Sequence, residues 1–84
     1  MRYIILTNKE REQLENLYKT SNNSVERNRS FQILLSDRKN SMAEVSRITN
    51  SNWLSVVRLF NVWDSTYAEN KLNTLLKDQD EVQN

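Results

Sequence analysis

The sequence predicts an all-α fold: a small helix-turn-helix domain of four main helices, with a short fifth near the end. Three observations predict it. Apolar residues recur at helical spacing, as in Leu14, Leu17 and Tyr18 or Val56, Leu59, Phe60 and Trp63. Two capping boxes announce helix starts, Thr7 with Glu10 and Ser41 with Glu44. The helical patterns stop at asparagines: Asn22, Asn23, Asn40, Asn50 and Asn70. The chain has no Gly and no Pro, where average usage would supply about six and four. Asn is the next-best residue for a left-handed helix end, so the breaks are marked in another residue type.

Taken in order, residues 1–6 (MRYIIL) form an extended lead-in with apolar Tyr3, Ile4, Ile5 and Leu6. Helix one spans about 8–19, with Leu6 placed to staple onto Leu14 or the stem of Arg11. Its inner stripe is Leu14, Leu17 and Tyr18; Lys9, Glu12, Glu15, Asn16 and Lys19 make a solvated face. After the polar turn at 20–24, helix two spans about 25–36. Phe31, Leu34 and Leu35 form its stripe and Ile33 flanks it. Arg27 and Arg29 point about 200° apart, so one can face an acid of helix one while the other stays in solvent.

The turn Asp37-Arg38-Lys39-Asn40 ends in a left-handed Asn40. Helix three, about 41–48, carries the stripe Met42, Val45 and Ile48. Thr49-Asn50-Ser51 breaks that pattern, with Asn50 suited to the left-handed conformation. Asn52 can cap helix four, about 52–66, whose core stripe is Val56, Leu59, Phe60 and Trp63. Tyr67, four residues past Trp63, could carry it toward 68. Leu72, Leu75 and Leu76 supply a last stripe, enough for the short fifth helix. Residues 1–78 therefore read as one domain and 79–84 as a polar, frayed tail.

Composition narrows the function. A chain of 84 residues buries only about 60% of its extended surface, so the core is modest. With no Cys and no His, there is no disulfide, no zinc site and no usual general base. No Asp-rich loop fits Mg²⁺ or Ca²⁺, and no Gly-rich loop cradles a phosphate. We therefore expect no enzyme activity, no cofactor, no metal and no small-molecule ligand. No apolar run approaches the length of a membrane span, and Met1 to Leu6 is too short for a signal peptide. A cytoplasmic location is the default expectation.

Net charge is only +1, so distribution matters more. Arg27, Arg29, Arg38, Lys39, Arg47 and Arg58 lie mid-chain, where the only acids are Glu26, Asp37 and Glu44. Glu10, Glu12 and Glu15 gather before them, and Asp78, Asp80 and Glu81 after. Such segregation reads as helix-dipole and solubility chemistry, or as a basic centre that faces phosphates. Helix, tight turn, helix over 41–63 is the plan of a DNA-reading unit, and equally of two packed helices.

The pieces LTNKEREQLENL, RNRSFQILLS, the turn Arg38-Lys39-Asn40, EVSRI and SVVRLF occur in fixed order and spacing over about 70 residues. Together they resemble the N-terminal helix-turn-helix (homeodomain-like) domain of bacterial insertion-sequence transposases of the mariner-like superfamily. The resemblance implies a domain that binds the terminal inverted repeats of a mobile element, as duplex DNA in the bacterial nucleoid. The catalytic Asp/Asp/Glu domain of that family would have no room in 84 residues, so the chain should bind without cutting.

Carried over by position, Asn52 would cap the recognition helix and reach a phosphate. Trp53, Leu54, Ser55, Val57 and Arg58 would face or flank the groove. Arg38, Lys39 and Arg47 would contact phosphates, and Arg2 on the lead-in could reach a minor groove. The family usually has Gly where this chain has Asn40 and Asn50, and basic or polar residues where it has Trp53 and Leu54. That second departure motivates an alternative: a helical interaction module or homodimer built on Trp53, Leu54, Val57, Leu72, Leu75 and Leu76.

Overall fold

The computed structural model describes residues 3–65 and Leu75. Arg2, Tyr67, Asn70, Leu72, Leu76 and the tail at 79–84 lie outside the described residues, and so does the expected fifth helix apart from Leu75. The fold is all-α, with four helices: α1 (Asn8–Thr20), α2 (Ser24–Asp37), α3 (Met42–Thr49) and α4 (Trp53–Ser65). Their ends fall within a residue or so of those expected from the pattern, and no strand occurs among the described residues.

The helix starts follow local hydrogen-bond chemistry. Glu10 N–H donates to Thr7 Oγ1 at 3.1 Å, and Thr7 N–H donates to the Glu10 carboxylate at 3.0 Å. Ser41 and Glu44 repeat this box at α3, at 3.1 and 2.9 Å. Each box satisfies two N–H groups that a helix start leaves without a partner. At α2 the Asn23 carboxamide oxygen accepts from Val25 and Glu26. Asn23 therefore starts a helix rather than ending one in a left-handed turn.

The helix ends correct the reading of Asn40. Among the described residues the positive φ angles belong to Lys39 (75°) and Asn50 (53°). Asn50 matches expectation: Asn50 N–H donates to Arg47 O and Ser51 N–H to Ser46 O. The α2 end closes the same way one residue earlier than expected, with Lys39 N–H on Ser36 O and Asn40 N–H on Leu35 O. In this closure the left-handed residue is the first past the cap. Here the cap is Arg38, so the conformation falls on Lys39. The Asn40 side chain still takes part, its amide donating to Leu35 O at 3.1 Å.

Around α2 the core assembles. Ile33, Leu34 and Leu35 are buried there, joined by Ile4, Leu6, Leu14, Val45, Val56, Leu59, Phe60, Trp63 and Leu75. Ile33, expected only to flank the stripe, is fully buried, because α2 has protein on several sides. Ile4 and Leu6 point inward and Ile5 outward, the two-residue alternation of extended chain. Tyr18 is more exposed than its stripe implied and stacks on Phe31, ring centres 4.9 Å apart. Ile48 is 45% exposed rather than buried. The inner face of α3 runs through Met42 and Val45 to Thr49, and Thr49 meets Gln32 of α2. Ile48, 100° around from Thr49, is turned outward.

The N-terminal segment is fastened to the end of α2. Ile4 N–H donates to the buried Ser36 hydroxyl at 2.8 Å, and Leu6 N–H to the Asp37 carboxylate at 3.0 Å. Arg11 Nε donates to the other Asp37 oxygen at 2.9 Å, and its Nη2 donates to Leu6 O. The Arg11 hydrogen bond chiefly holds the Asp37 carboxyl below its ordinary range; burial opposes this, and the Leu6 N–H and nearby positive charges add to it.

Two predictions follow from these contacts. A carboxyl depressed in the folded state stabilises fully above its unfolded value, near pH 4, and this is lost as pH falls through the folded value. Urea titrations between pH 6 and pH 2 should therefore show a loss of stability below about pH 4. Asp37→Asn, which keeps an acceptor for Leu6, should flatten that loss. Separately, Asn50→Ala should cost about 1 kcal/mol in urea unfolding, whereas Asn50→Gly should cost nothing.

Candidate nucleic-acid interface

The turn between α3 and α4 is held by α2. Gln32 Nε2 donates to the Ser51 hydroxyl at 2.8 Å, and Asn28 Nδ2 donates to the same oxygen at 3.2 Å. Thr49 donates its hydroxyl to Val45 O at 2.7 Å and places Oγ1 2.9 Å from Ser51 Oγ. Gln32 is nearly inaccessible, so its amide depends on these partners. Sequence pattern alone marked neither Asn28 nor Gln32. Both sit in a polar register beside the apolar stripe, which periodicity assigns to solvent.

That attachment sets how α4 presents itself. Asn52 Oδ1 accepts from Leu54 N–H at 2.8 Å and Asn52 O from Val56 N–H, so Asn52 caps α4 as expected. One side of α4, Val56, Leu59, Phe60 and Trp63, is buried. The opposite side carries Trp53, Leu54, Arg58 and Asn61, with Val57 half-buried between them. Trp53 is 52% and Leu54 55% exposed, so the first turn of α4 is not covered by the described protein. Asn61 was not singled out by sequence reasoning, although its spacing of three from Arg58 puts it on the same face. Arg47 is exposed in the last turn of α3, just before the fastened turn.

Ser55 looks elsewhere. It lines an open groove of about 500 Å³ with Ser24, Val25, Asn28, Arg29, Gln32, Ser51 and Asn52. The floor of this groove is α2 and one wall is the start of α4. Arg29, half-buried, reaches across α2 to donate to the Leu75 carbonyl at 3.2 Å.

Arg38 and Lys39 stand apart from this group. Arg38 Nη2 lies 3.8 Å from the Glu15 carboxylate, both groups well exposed. Lys39 Nζ sits 5.4 Å over the Tyr3 ring. Ten residues of helix separate Asn28 from Arg38, about 15 Å along the axis of α2. The structure thus places Asn52, Trp53 and Arg58 along the start of α4, turns Ser55 toward the α2 groove, keeps Arg47 exposed at the end of α3, and leaves Arg38 and Lys39 at the far end of α2. Arg2 falls outside the described residues.

The two arginines of the α3–α4 unit, Arg47 and Arg58, lie between its two acids, Glu44 at the start of α3 and the exposed Asp64 at the end of α4. The nineteen residues from Val45 to Trp63 contain two arginines and no acid. Glu44, just before them, has its carboxylate engaged in the capping box of α3. Among the described residues no group of three or more acids could hold a metal ion.

If Gln32 holds the α3–α4 turn in place, Gln32→Leu should cost about 1 kcal/mol. It should also speed amide exchange at Ser51 to Leu54 more than in α1, read by hydrogen-exchange NMR. No protein-family model matches the sequence, and no curated protein and no solved structure matches the chain.

Proposed function

We propose that the chain binds duplex DNA, with the outward face of α4 in the major groove and no chemistry of its own. One observation carries the reading. An exposed helix face that bears Arg58 and meets no acid before Asp64, near the end of α4, follows Arg47 in the chain, on a hairpin fixed to the domain core by Gln32 and Asn28. A recognition helix needs that combination: a face clear of protein, cations for phosphates and base edges, and a rigid mount.

In this reading Arg47 and Asn52 contact phosphates at the edge of the groove. Arg58 reaches a base edge, and Arg38 and Lys39 meet the backbone farther along. The resemblance to transposase N-terminal domains supports terminal inverted repeats as the target. Arg and Lys neutralise phosphates whatever the sequence, so affinity should depend steeply on salt. The reading assigns binding alone, consistent with a chain that lacks His and Cys.

A second reading, an interaction module or homodimer, is favoured by the exposed Trp53, Leu54 and Ile48. Leu75 does not contribute to such a surface, since it is buried in the core. Neither reading involves a membrane span: no described helix is long and apolar enough to cross one.

Two measurements test these readings. In gel-shift titrations over a salt series, Arg58→Ala should weaken specific binding by about 1–3 kcal/mol and relax one base position. Arg47→Ala should weaken binding to all sequences and lower the salt slope by about one. A folded sample with no salt-dependent affinity for any duplex would remove the DNA reading. For the second reading, sedimentation at high concentration should show a dimer that Trp53→Ala with Leu54→Asp converts to monomer.

A further inference from the structure

The face that should read bases has an unusual chemistry. Its first turn presents a tryptophan and a leucine, each about half exposed, and no charged group. Paired hydrogen bonds identify guanine and adenine edges and an acceptor identifies cytosine; leucine has no hydrogen-bonding group, and tryptophan has a single donor, its indole N–H, and no acceptor. The major groove offers one apolar recognition feature, the C5-methyl group of thymine. Building on the DNA-binding reading above, we propose that Trp53 and Leu54 read thymine methyl groups. The target then carries thymines on neighbouring base pairs beneath the first turn of α4.

Two facts select this occupant over a second copy of the chain. The first is charge. The apolar pair lies inside the acid-free run from Val45 to Trp63, with Arg47 six residues before Trp53 and Arg58 four residues after Leu54. Cations that bracket a small apolar patch match a thymine edge between two phosphate backbones. The second is area. Trp53, Leu54 and Ile48, each about half exposed, offer a few hundred Å², well below the ~800 Å² per partner of a stable interface. Polar groups border the patch on the α2 side, where Asn28, Asn52 and Ser55 line the groove.

The face also has the right reach. From Trp53 to Asn61 is eight residues, about 12 Å of helix, or three to four base pairs at ~3.4 Å each. The methyl-reading pair sits at the N-terminal end, the part of a recognition helix that goes deepest toward base edges. Arg58 and Asn61 then stand over the following base pairs.

The experiment begins with selection of binders by the full chain from a randomised 20-base-pair duplex pool. Each thymine of the winning duplex is next replaced singly by deoxyuridine, which removes only the methyl group. At one or two adjacent positions this should weaken binding about three- to tenfold. Trp53→Ala and Leu54→Ala should each abolish the thymine-over-deoxyuridine difference at one position and leave the salt slope unchanged. Both side chains are exposed, and circular dichroism should show the variants folded as the parent.

Equal affinity for every deoxyuridine duplex overturns the proposal and leaves DNA binding standing, and so does a winning sequence without thymine. Leu54→Asp that dissociates a dimer yet leaves DNA affinity intact assigns the patch to a second copy and overturns it too. If the pool yields no binder and no salt-dependent affinity, the DNA reading and this proposal fall together.

Discussion

Asn28, Gln32 and Ser36 follow one another at four-residue intervals on α2, and each hydrogen-bonds a distant segment. Asn28 and Gln32 hold the α3–α4 turn through Ser51; Ser36 takes the backbone N–H of Ile4. Asn28 is exposed, but Gln32 and Ser36 are buried; a buried polar side chain without partners would cost about 1–3 kcal/mol, so these two are tolerable only with those segments in place. The apolar core holds the helices together without specifying their register. The polar stripe supplies register, since an amide or hydroxyl accepts few geometries. Docking of the N-terminal segment and orientation of α4 both depend on it.

The turns show how a chain without glycine solves a backbone problem. Two helix ends use the same six-residue closure, and each needs one left-handed residue. Asn50 meets that need at small cost. Lys39 meets it at a larger one, and its ammonium group over the Tyr3 ring offsets part of the strain. The α2 end is thus joined to the N-terminal segment through the Lys39–Tyr3 pair, Ser36 and Asp37. The exposed Arg38–Glu15 pair nearby adds little.

Much of the fold was legible in the sequence because it is encoded locally. Thr7 and Glu10, or Ser41 and Glu44, mark helix starts with groups three residues apart. Val56, Leu59, Phe60 and Trp63 mark the inner face of α4 by spacing alone. What escaped was tertiary. Ser30, Gln32 and Ser36 are buried, yet a polar residue in a helical pattern reads as solvated until its partner is known. Lys39 is left-handed because the helix ends where it does, not because lysine prefers that shape. Of the candidate site, the cap at Asn52 and the outward Arg47 and Arg58 were legible. The state of Trp53 and Leu54 was not: a helix with apolar residues around its whole circumference gives no internal sign of which ones a neighbour covers. Only the packing of α4 on α2 and α3 decides that.

The two tryptophans end up in opposite surroundings. Trp63 is almost wholly enclosed, 1% exposed, whereas Trp53 stands half in water ten residues earlier on the same helix. Indole emission shifts with the polarity around the ring, so the chain holds two reporters with separate duties. Trp63 senses whether the core is closed; Trp53 senses what arrives at the outer face of α4. With no third tryptophan to blur them, folding and occupancy can be followed in one native protein by the colour of its own fluorescence.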